Sequence, residues 1–192
     1  ASGVPAEKLI VVEIVPEMAD FLRRTLPGVN VICGDAFDRL LAVGIRPSLS
    51  GDTETKCAGD MFTQMRHAFS YYRSWMGGNH STVPNAPASI TLRDVLEFGT
   101  MAGAHATGLA HKVGSLTPGK QADLMLVRTT DLNLTPVSDA VGAVVLAAHP
   151  GNVSSVFVAG RPVKRDGQMV GIDLDALRQR ACASQRHVLA MP

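Results

Sequence analysis

An apolar strand-like run, a helix-like stretch and a second apolar run follow one another between residues 9 and 35, and this order constrains the fold most. Residues 9–13 are rich in β-branched side chains, which is typical of a buried parallel strand. Pro16 suits the first turn of a helix, and the Pro-Gly pair at 27–28 ends it. Residues 29–33 repeat the strand pattern. Two strands joined by a helix are predicted to lie parallel in one sheet.

The rest of the chain alternates between helical and strand patterns. One predicted helix carries apolar side chains on a single face, and a second begins with a capping box at Thr91. A small-residue helix is predicted over 101–109, and Asp173 is predicted to cap a final helix. The predicted strands are 122–127, 153–158 and 163–165. The apolar face of the first helix comprises Met61, Phe62, Met65, Phe69 and Tyr72. These elements predict a mixed α/β chain.

Composition narrows the functional classes. The net charge is +1 and no basic block occurs, so we expect no nucleic-acid binding. No apolar run reaches the ~18 residues of a membrane span, and no signal peptide is evident. The three cysteines, Cys33, Cys57 and Cys182, are scattered and odd in number, which favours a reducing compartment. We therefore expect a cytoplasmic protein.

Acidic residues end both early strands, at Glu13 and Asp35. Together with the surrounding sequence, residues 1–38 resemble the second and third strands of an S-adenosylmethionine-dependent methyltransferase. That resemblance implies that Glu13 binds the ribose hydroxyls of the cofactor and that Asp35 contacts the adenine. The glycine-rich loop that cradles the cofactor in this family is missing from the chain. The alternative is that both carboxylates are solvated strand ends.

Two later segments carry a more specific resemblance. Residues 45–55 place Asp52 after a short apolar run and a glycine, and residues 113–124 form a Gly- and Pro-rich turn that opens into a strand. Residues 39–175 resemble the cytosine-deaminase and chlorohydrolase-like branch of the amidohydrolase superfamily. This implies the tail of a (β/α)₈ barrel, over 39–112, followed by part of a small β-sandwich, over 113–192. With the methyltransferase-like segment, three units are expected.

The amidohydrolase resemblance implies a metal-dependent hydrolase that cleaves C–N or C–Cl bonds of small heterocyclic or amide substrates. By this resemblance Asp52 matches the acid at the end of the eighth barrel strand, which binds the catalytic Zn or Fe and transfers the proton of the attacking water. Such a metal lowers the pKa of water from ~15.7 toward ~7. His80, in a Gly-rich loop, would border the substrate pocket. Asp52 could instead cap the following helix, and Cys57 reads as a buried or incidental thiol.

Stoichiometry sets a limit on activity. A catalytic zinc needs about three protein ligands, and the chain contains no His-x-His pair. We therefore expect the lone chain to be inactive and to bind no metal. Three alternatives stay open: a hydrolase completed by a partner, a product of gene rearrangement, and a non-catalytic binding module. The exposed apolar helices could also form a homo-oligomer.

Overall fold

A computed structural model describes residues 5–13, 15–53, 58–77, 83 and 89–191. The helices are α1 (Pro16–Thr25), α2 (Ala36–Ala42), α3 (Met61–Gly77), α4 (Leu92–Phe98), α5 (Met101–Ala106), α6 (Ala140–Gly142) and α7 (Leu174–Leu189). The strands are β1 (Ile10–Glu13), β2 (Asn30–Cys33), β3 (Leu124–Val127), β4 (Val153–Val158), β5 (Arg161–Arg165) and β6 (Gln168–Met169). A π-helical turn, Ala143–Ala147, continues α6. The predicted mixed α/β class is confirmed.

The first unit is the predicted strand–helix–strand. Strands β1 and β2 pair in parallel, with Ile10 opposite Asn30 and Glu13 opposite Cys33. Helix α1 starts at Pro16, whose ring suits the first helical position. Gly28 has a φ of 86°, which glycine adopts without steric cost, and the chain reverses there into β2. Both strands therefore end on the same side of this small sheet.

Helix α3 forms the centre of the hydrophobic core. Its buried side chains recur every three or four residues, which places them along one face. They pack against α4 and against the segment around Val145, which is fully buried. The predicted apolar face of α3 is therefore the core-forming face, and Tyr72 is fully buried on it.

The second sheet is antiparallel, in the order β3-β4-β5-β6. A tight turn at Ala159 and Gly160, both with positive φ, joins β4 to β5. Beyond β6, Asp173 accepts hydrogen bonds from Asp175 N and Ala176 N, so the predicted cap of α7 is confirmed. Helix α7 itself buries no residue.

One element departs from expectation. Residues 45–53 were expected to contain a strand ending at Asp52, but this segment is irregular. A strand needs a hydrogen-bonded neighbour, and within the described residues β1 and β2 form a sheet that does not extend to it. None of the helices in the described ranges has the length and apolar character that a membrane crossing requires.

Candidate functional site

Asp52 lies at the rim of a small open cleft. The cleft has a volume of about 240 Å³ and is lined by Ser50, Gly51, Asp52, Gly59, Asp60, Met61 and Gln64. Asp52 is exposed and has a φ of 53°, an uncommon conformation for a residue other than glycine. Its backbone N–H donates to the Ser50 hydroxyl over 3.2 Å. The cleft thus presents a solvent-accessible carboxylate on a sharply turned backbone.

Contacts to α4 hold the segment that leads to Asp52. Leu49 N donates to the carbonyl of Phe98 at 3.3 Å. The guanidinium of Arg46 pairs with Asp94 and, at 3.0 Å, with Glu97, and it lies 5.3 Å from the centre of the Phe98 ring. These contacts anchor an irregular segment to a helix end, so the position of Asp52 depends on α4.

Asp94 links this anchor to the predicted capping box. Its carboxylate accepts from the Thr91 backbone N–H and hydroxyl, and Thr91 Oγ1 accepts from Asp94 N. Partial burial alone would raise the pKa of Asp94, but the hydrogen bonds from Thr91 and the contact with Arg46 outweigh it and lower that pKa. Asp94 therefore remains charged and keeps both partners.

The alternative role of Asp52 as a helix cap is wrong. Asp60 occupies that position: its two carboxylate oxygens accept from Thr63 N and Thr63 Oγ1, each at 2.8 Å. Asp52 lies eight residues earlier, too far along the chain to cap α3. Its carboxylate is therefore not used to start this helix.

The described residues do not by themselves fit a transition metal. Over those residues, no group of three or more His, Cys, Asp or Glu side chains comes close enough to hold an ion. A catalytic zinc needs about three protein ligands, and Asp52 would be one of them. His67 is exposed on α3, while His80 and Cys57 lie outside the described residues.

Glu13 and Asp35 lie at the ends of the neighbouring strands β1 and β2, and both have local partners. Glu13 Oε1 accepts from Val15 N at 2.9 Å. Asp35 caps α2 by accepting from Phe37 N and Asp38 N, and its other oxygen accepts from the hydroxyl of Tyr71 at 2.9 Å. The structure therefore uses Asp35 to start a helix and to bind a tyrosine.

A buried carboxylate beside Asp35 was not predicted. Asp38 is 1% exposed. Its Oδ2 accepts from the indole N–H of Trp75 at 2.8 Å, whereas Oδ1 has no hydrogen-bond partner among the residues that the structure describes. Burial, the hydrogen bond to Asp35 and the two nearby carboxylates raise the pKa of Tyr71 to about 12. Burial and the same carboxylates also raise the pKa of Tyr72.

A second polar cluster, also unpredicted, joins the turns around the start of β4. Asn152 is 1% exposed, and its amide oxygen accepts from His149 N and Asn133 Nδ2. Its amide nitrogen donates to Asp131 Oδ2 at 2.7 Å and to Asn133 Oδ1 at 3.0 Å. Arg128 donates two hydrogen bonds to Asp131. The cluster fixes the loop between β3 and α6 to the start of β4.

The comparison with protein families assigns residues 18–163 to the amidohydrolase family. This match covers more than half of the chain, so the chain belongs to that family. The match begins inside residues 1–38 and gives no support to a methyltransferase origin for 18–38.

Relatives and solved structures agree with the family. A 5-methylthioadenosine/S-adenosylhomocysteine deaminase from Teredinibacter turnerae is 35% identical over 101 residues, which is 53% of this chain and 21% of that protein. A zinc-bound adenosine deaminase from Xanthomonas campestris has a TM-score of 0.71 at 22% identity, over 96% of this chain and 43% of that one. The zinc complex of an atrazine chlorohydrolase from Arthrobacter aurescens has a TM-score of 0.64 at 18% identity, over 93% and 41% of the two chains. The solved structures support the fold alone, and the chain spans only a minor part of each of these proteins.

Proposed function

We propose that this chain supplies the Asp52-bearing part of a metal-dependent amidohydrolase that removes an amino group from an aminated heterocycle. The observation that carries the proposal is the match of residues 18–163 to the amidohydrolase family, which includes the cleft around Asp52. The 35% identity to a 5-methylthioadenosine/S-adenosylhomocysteine deaminase supports an adenosine-like substrate. Cleavage of a C–Cl bond is the second candidate, favoured by the likeness in fold to a chlorohydrolase.

In this proposal Asp52 provides a carboxylate for the metal and for proton transfer. The residue is exposed, its backbone is sharply turned, and the Arg46 anchor holds the segment before it against α4. The metal would be Zn or Fe. Its remaining protein ligands, and any contact from His80, have to come from outside the described cleft. We therefore expect no turnover by the chain alone.

The domain assignment remains part of the proposal. Residues 39–112 would correspond to the end of a barrel and residues 113–192 to part of a sandwich, with 1–38 as a separate segment of methyltransferase-like origin. The boundary at residue 38 lies within α2.

Cofactor binding at Glu13 and Asp35 is the less favoured alternative. Both oxygens of Asp35 accept hydrogen bonds from protein groups, and a ribose or adenine donor would have to replace them. Equilibrium dialysis with S-adenosylmethionine tests this directly: retention by the chain, lost in Glu13→Gln, would support the alternative, and no retention would remove it.

The main proposal is tested by grafting. Residues 39–163 of this chain replace the corresponding part of the Teredinibacter turnerae deaminase. The rate at which the graft deaminates 5-methylthioadenosine is then measured. We expect activity in the graft and a loss of about 10²–10⁴-fold in the Asp52→Asn graft, the usual contribution of a proton-transferring group. Asp60→Asn is the matched control, because it changes a carboxylate of the same cleft that caps α3. An Asp52→Asn graft that is as active as the unaltered graft would contradict the proposal.

A further inference from the structure

The backbone of Asp52 has a conformation that its place in the chain does not explain. In the described part of the chain three residues other than glycine have a positive φ: Asp52 at 53°, Ala159 at 49° and Asp166 at 50°. In this left-handed region the Cβ of a side chain comes too close to the following carbonyl oxygen, so the conformation costs energy. Such a conformation persists only where the surrounding structure requires it.

Two of these three residues have a structural reason for a positive φ. Ala159 and Gly160 form the loop between β4 and β5, and Asp166 and Gly167 form the loop between β5 and β6. Both glycines also have a positive φ, of 78° and 81°. A two-residue hairpin loop whose twist matches that of its strands requires a positive φ at both central residues. The left-handed backbone of Ala159 and Asp166 therefore follows from the hairpins.

Asp52 lies in no hairpin of the described residues, and a side chain holds its backbone instead. Residues 51–53 are irregular. The backbone N–H of Asp52 donates to the hydroxyl oxygen of Ser50 at 3.2 Å, and serine hydroxyls commonly close local turns in this way. Ser50 and Asp52 both line the open cleft. The serine thus fixes the backbone of the residue whose carboxylate borders that cleft.

We propose that Ser50 is a positioning residue for Asp52. This role rests on the proposed function, in which the Asp52 carboxylate transfers a proton. The Ser50 hydroxyl stabilises the left-handed conformation, and a change to extended backbone would redirect the carboxylate relative to the start of α3, which lines the same cleft. A displacement of about 1 Å at a reacting group lowers a rate by as much as ~10²-fold. Because Ser50 acts through the Asp52 backbone, its loss should lower kcat and leave KM unchanged.

The first test uses the full chain without added metal and measures hydrogen exchange at the Asp52 amide by NMR. The variants are Ser50→Ala, Ser50→Thr, which keeps an accepting oxygen, and Ser48→Ala, which removes an exposed serine of the same segment. The intrinsic exchange rate of an amide depends on its own residue and the one before it, so a change at residue 50 acts only through structure. We expect exchange about two- to tenfold faster in Ser50→Ala, as for the loss of one hydrogen bond, and near the parent rate in the other two variants. An unchanged rate in Ser50→Ala would overturn the proposal.

The second test places the same three substitutions in the deaminase graft that tests the proposed function. We expect Ser50→Ala to lower kcat for 5-methylthioadenosine by at least about fivefold, with KM within about twofold of that of the unaltered graft. Loss of kcat at constant KM is the pattern of an interaction that acts on the transition state. Ser50→Thr should recover most of the lost rate, and Ser48→Ala should match the unaltered graft.

Failure of this role for Ser50 is distinguishable from failure of the proposed function. If Asp52→Asn inactivates the graft while Ser50→Ala leaves kcat unchanged, only the role of Ser50 is overturned. If the unaltered graft is inactive, or if Asp52→Asn does not slow it, the proposed function is overturned and the role of Ser50 with it. A raised KM at constant kcat in Ser50→Ala, or equal losses in Ser50→Ala and Ser50→Thr, would also overturn the positioning role.

Discussion

Asp38 shows how one residue can make the core depend on a single hydrogen bond. The carboxylate is buried, and one of its oxygens accepts a hydrogen bond from the Trp75 indole. Within the described ranges the other oxygen has no partner. A buried polar group that loses its partner costs about 1–3 kcal/mol, and more when it is charged. The pattern of apolar residues predicts that α3 has a buried face, but it does not predict which polar group lies against it.

Replacing Trp75 should therefore lower the free energy of unfolding. For Trp75→Phe we expect a loss of about 2–4 kcal/mol, since the change removes both the hydrogen bond to a buried carboxylate and part of a half-buried ring. Tyr71→Phe is the matched control: Tyr71 is 44% exposed, and losing its hydrogen bond to Asp35 should cost only about 0.5–1.5 kcal/mol. Urea denaturation followed by circular dichroism measures both, and equal losses would contradict the role given to Asp38.

The two tyrosines make a further prediction at the residue scale. They are the two tyrosines of the sequence, and the pKa of each is raised, that of Tyr71 to about 12. An unfolded tyrosine has a pKa of about 10. The raised values stabilise the fold fully below pH ~10, and this stabilisation is lost as the pH rises toward 12. Phenolate absorbance at pH 10 should be much lower for the native chain than for the chain in urea. Equal absorbance would contradict the raised pKa values of the two phenols.

Whole elements were predicted where a local pattern decides them. The parallel β1–β2 pair, the buried face of α3, the Thr91 capping box and the start of α7 all follow from periodicity or from caps. The irregular segment before Asp52 was not predicted, because strand formation depends on a neighbour that a local sequence does not reveal. Asp52 could be proposed as a site residue only through the family resemblance, since its own neighbours, Ser50 and Gly51, are ordinary turn residues.

The cluster around Asn152 also depends on contacts that are distant in sequence, and it can be tested as a unit. Asn152→Asp replaces a donating amide by an oxygen that faces the carboxylate of Asp131, 2.7 Å away in the native chain. We expect a loss of about 3–5 kcal/mol in the free energy of unfolding, typical of an unpaired buried charge. Adding Asp131→Asn restores a donor opposite an acceptor and should recover at least about half of that loss. Thermal unfolding of Asn152→Asp, Asp131→Asn and the double variant checks this, and additive losses in the double variant would show that the two groups do not interact.

At the scale of the whole molecule, the family assignment and the geometry of the Asp52 cleft support the same interpretation. The chain belongs to the amidohydrolase family but spans a minor part of the proteins it resembles. Asp52 stands in an open cleft, and the described residues do not bring a group of three or more possible metal ligands together there. In the described part of the chain an apolar groove lies between the antiparallel sheet and helices α4 and α5. These features support the proposal that other protein surface completes a catalytic centre around Asp52.

Metal stoichiometry tests this account most directly. Elemental mass spectrometry would be applied to the free chain, to the graft into the Teredinibacter turnerae deaminase, and to the same graft carrying Asp52→Ala. The account predicts about one equivalent of zinc or iron in the graft, much less after Asp52→Ala, and none retained by the free chain, since one carboxylate falls short of the ligand set. One equivalent held by the free chain, or by the Asp52→Ala graft at the level of its parent, would contradict it.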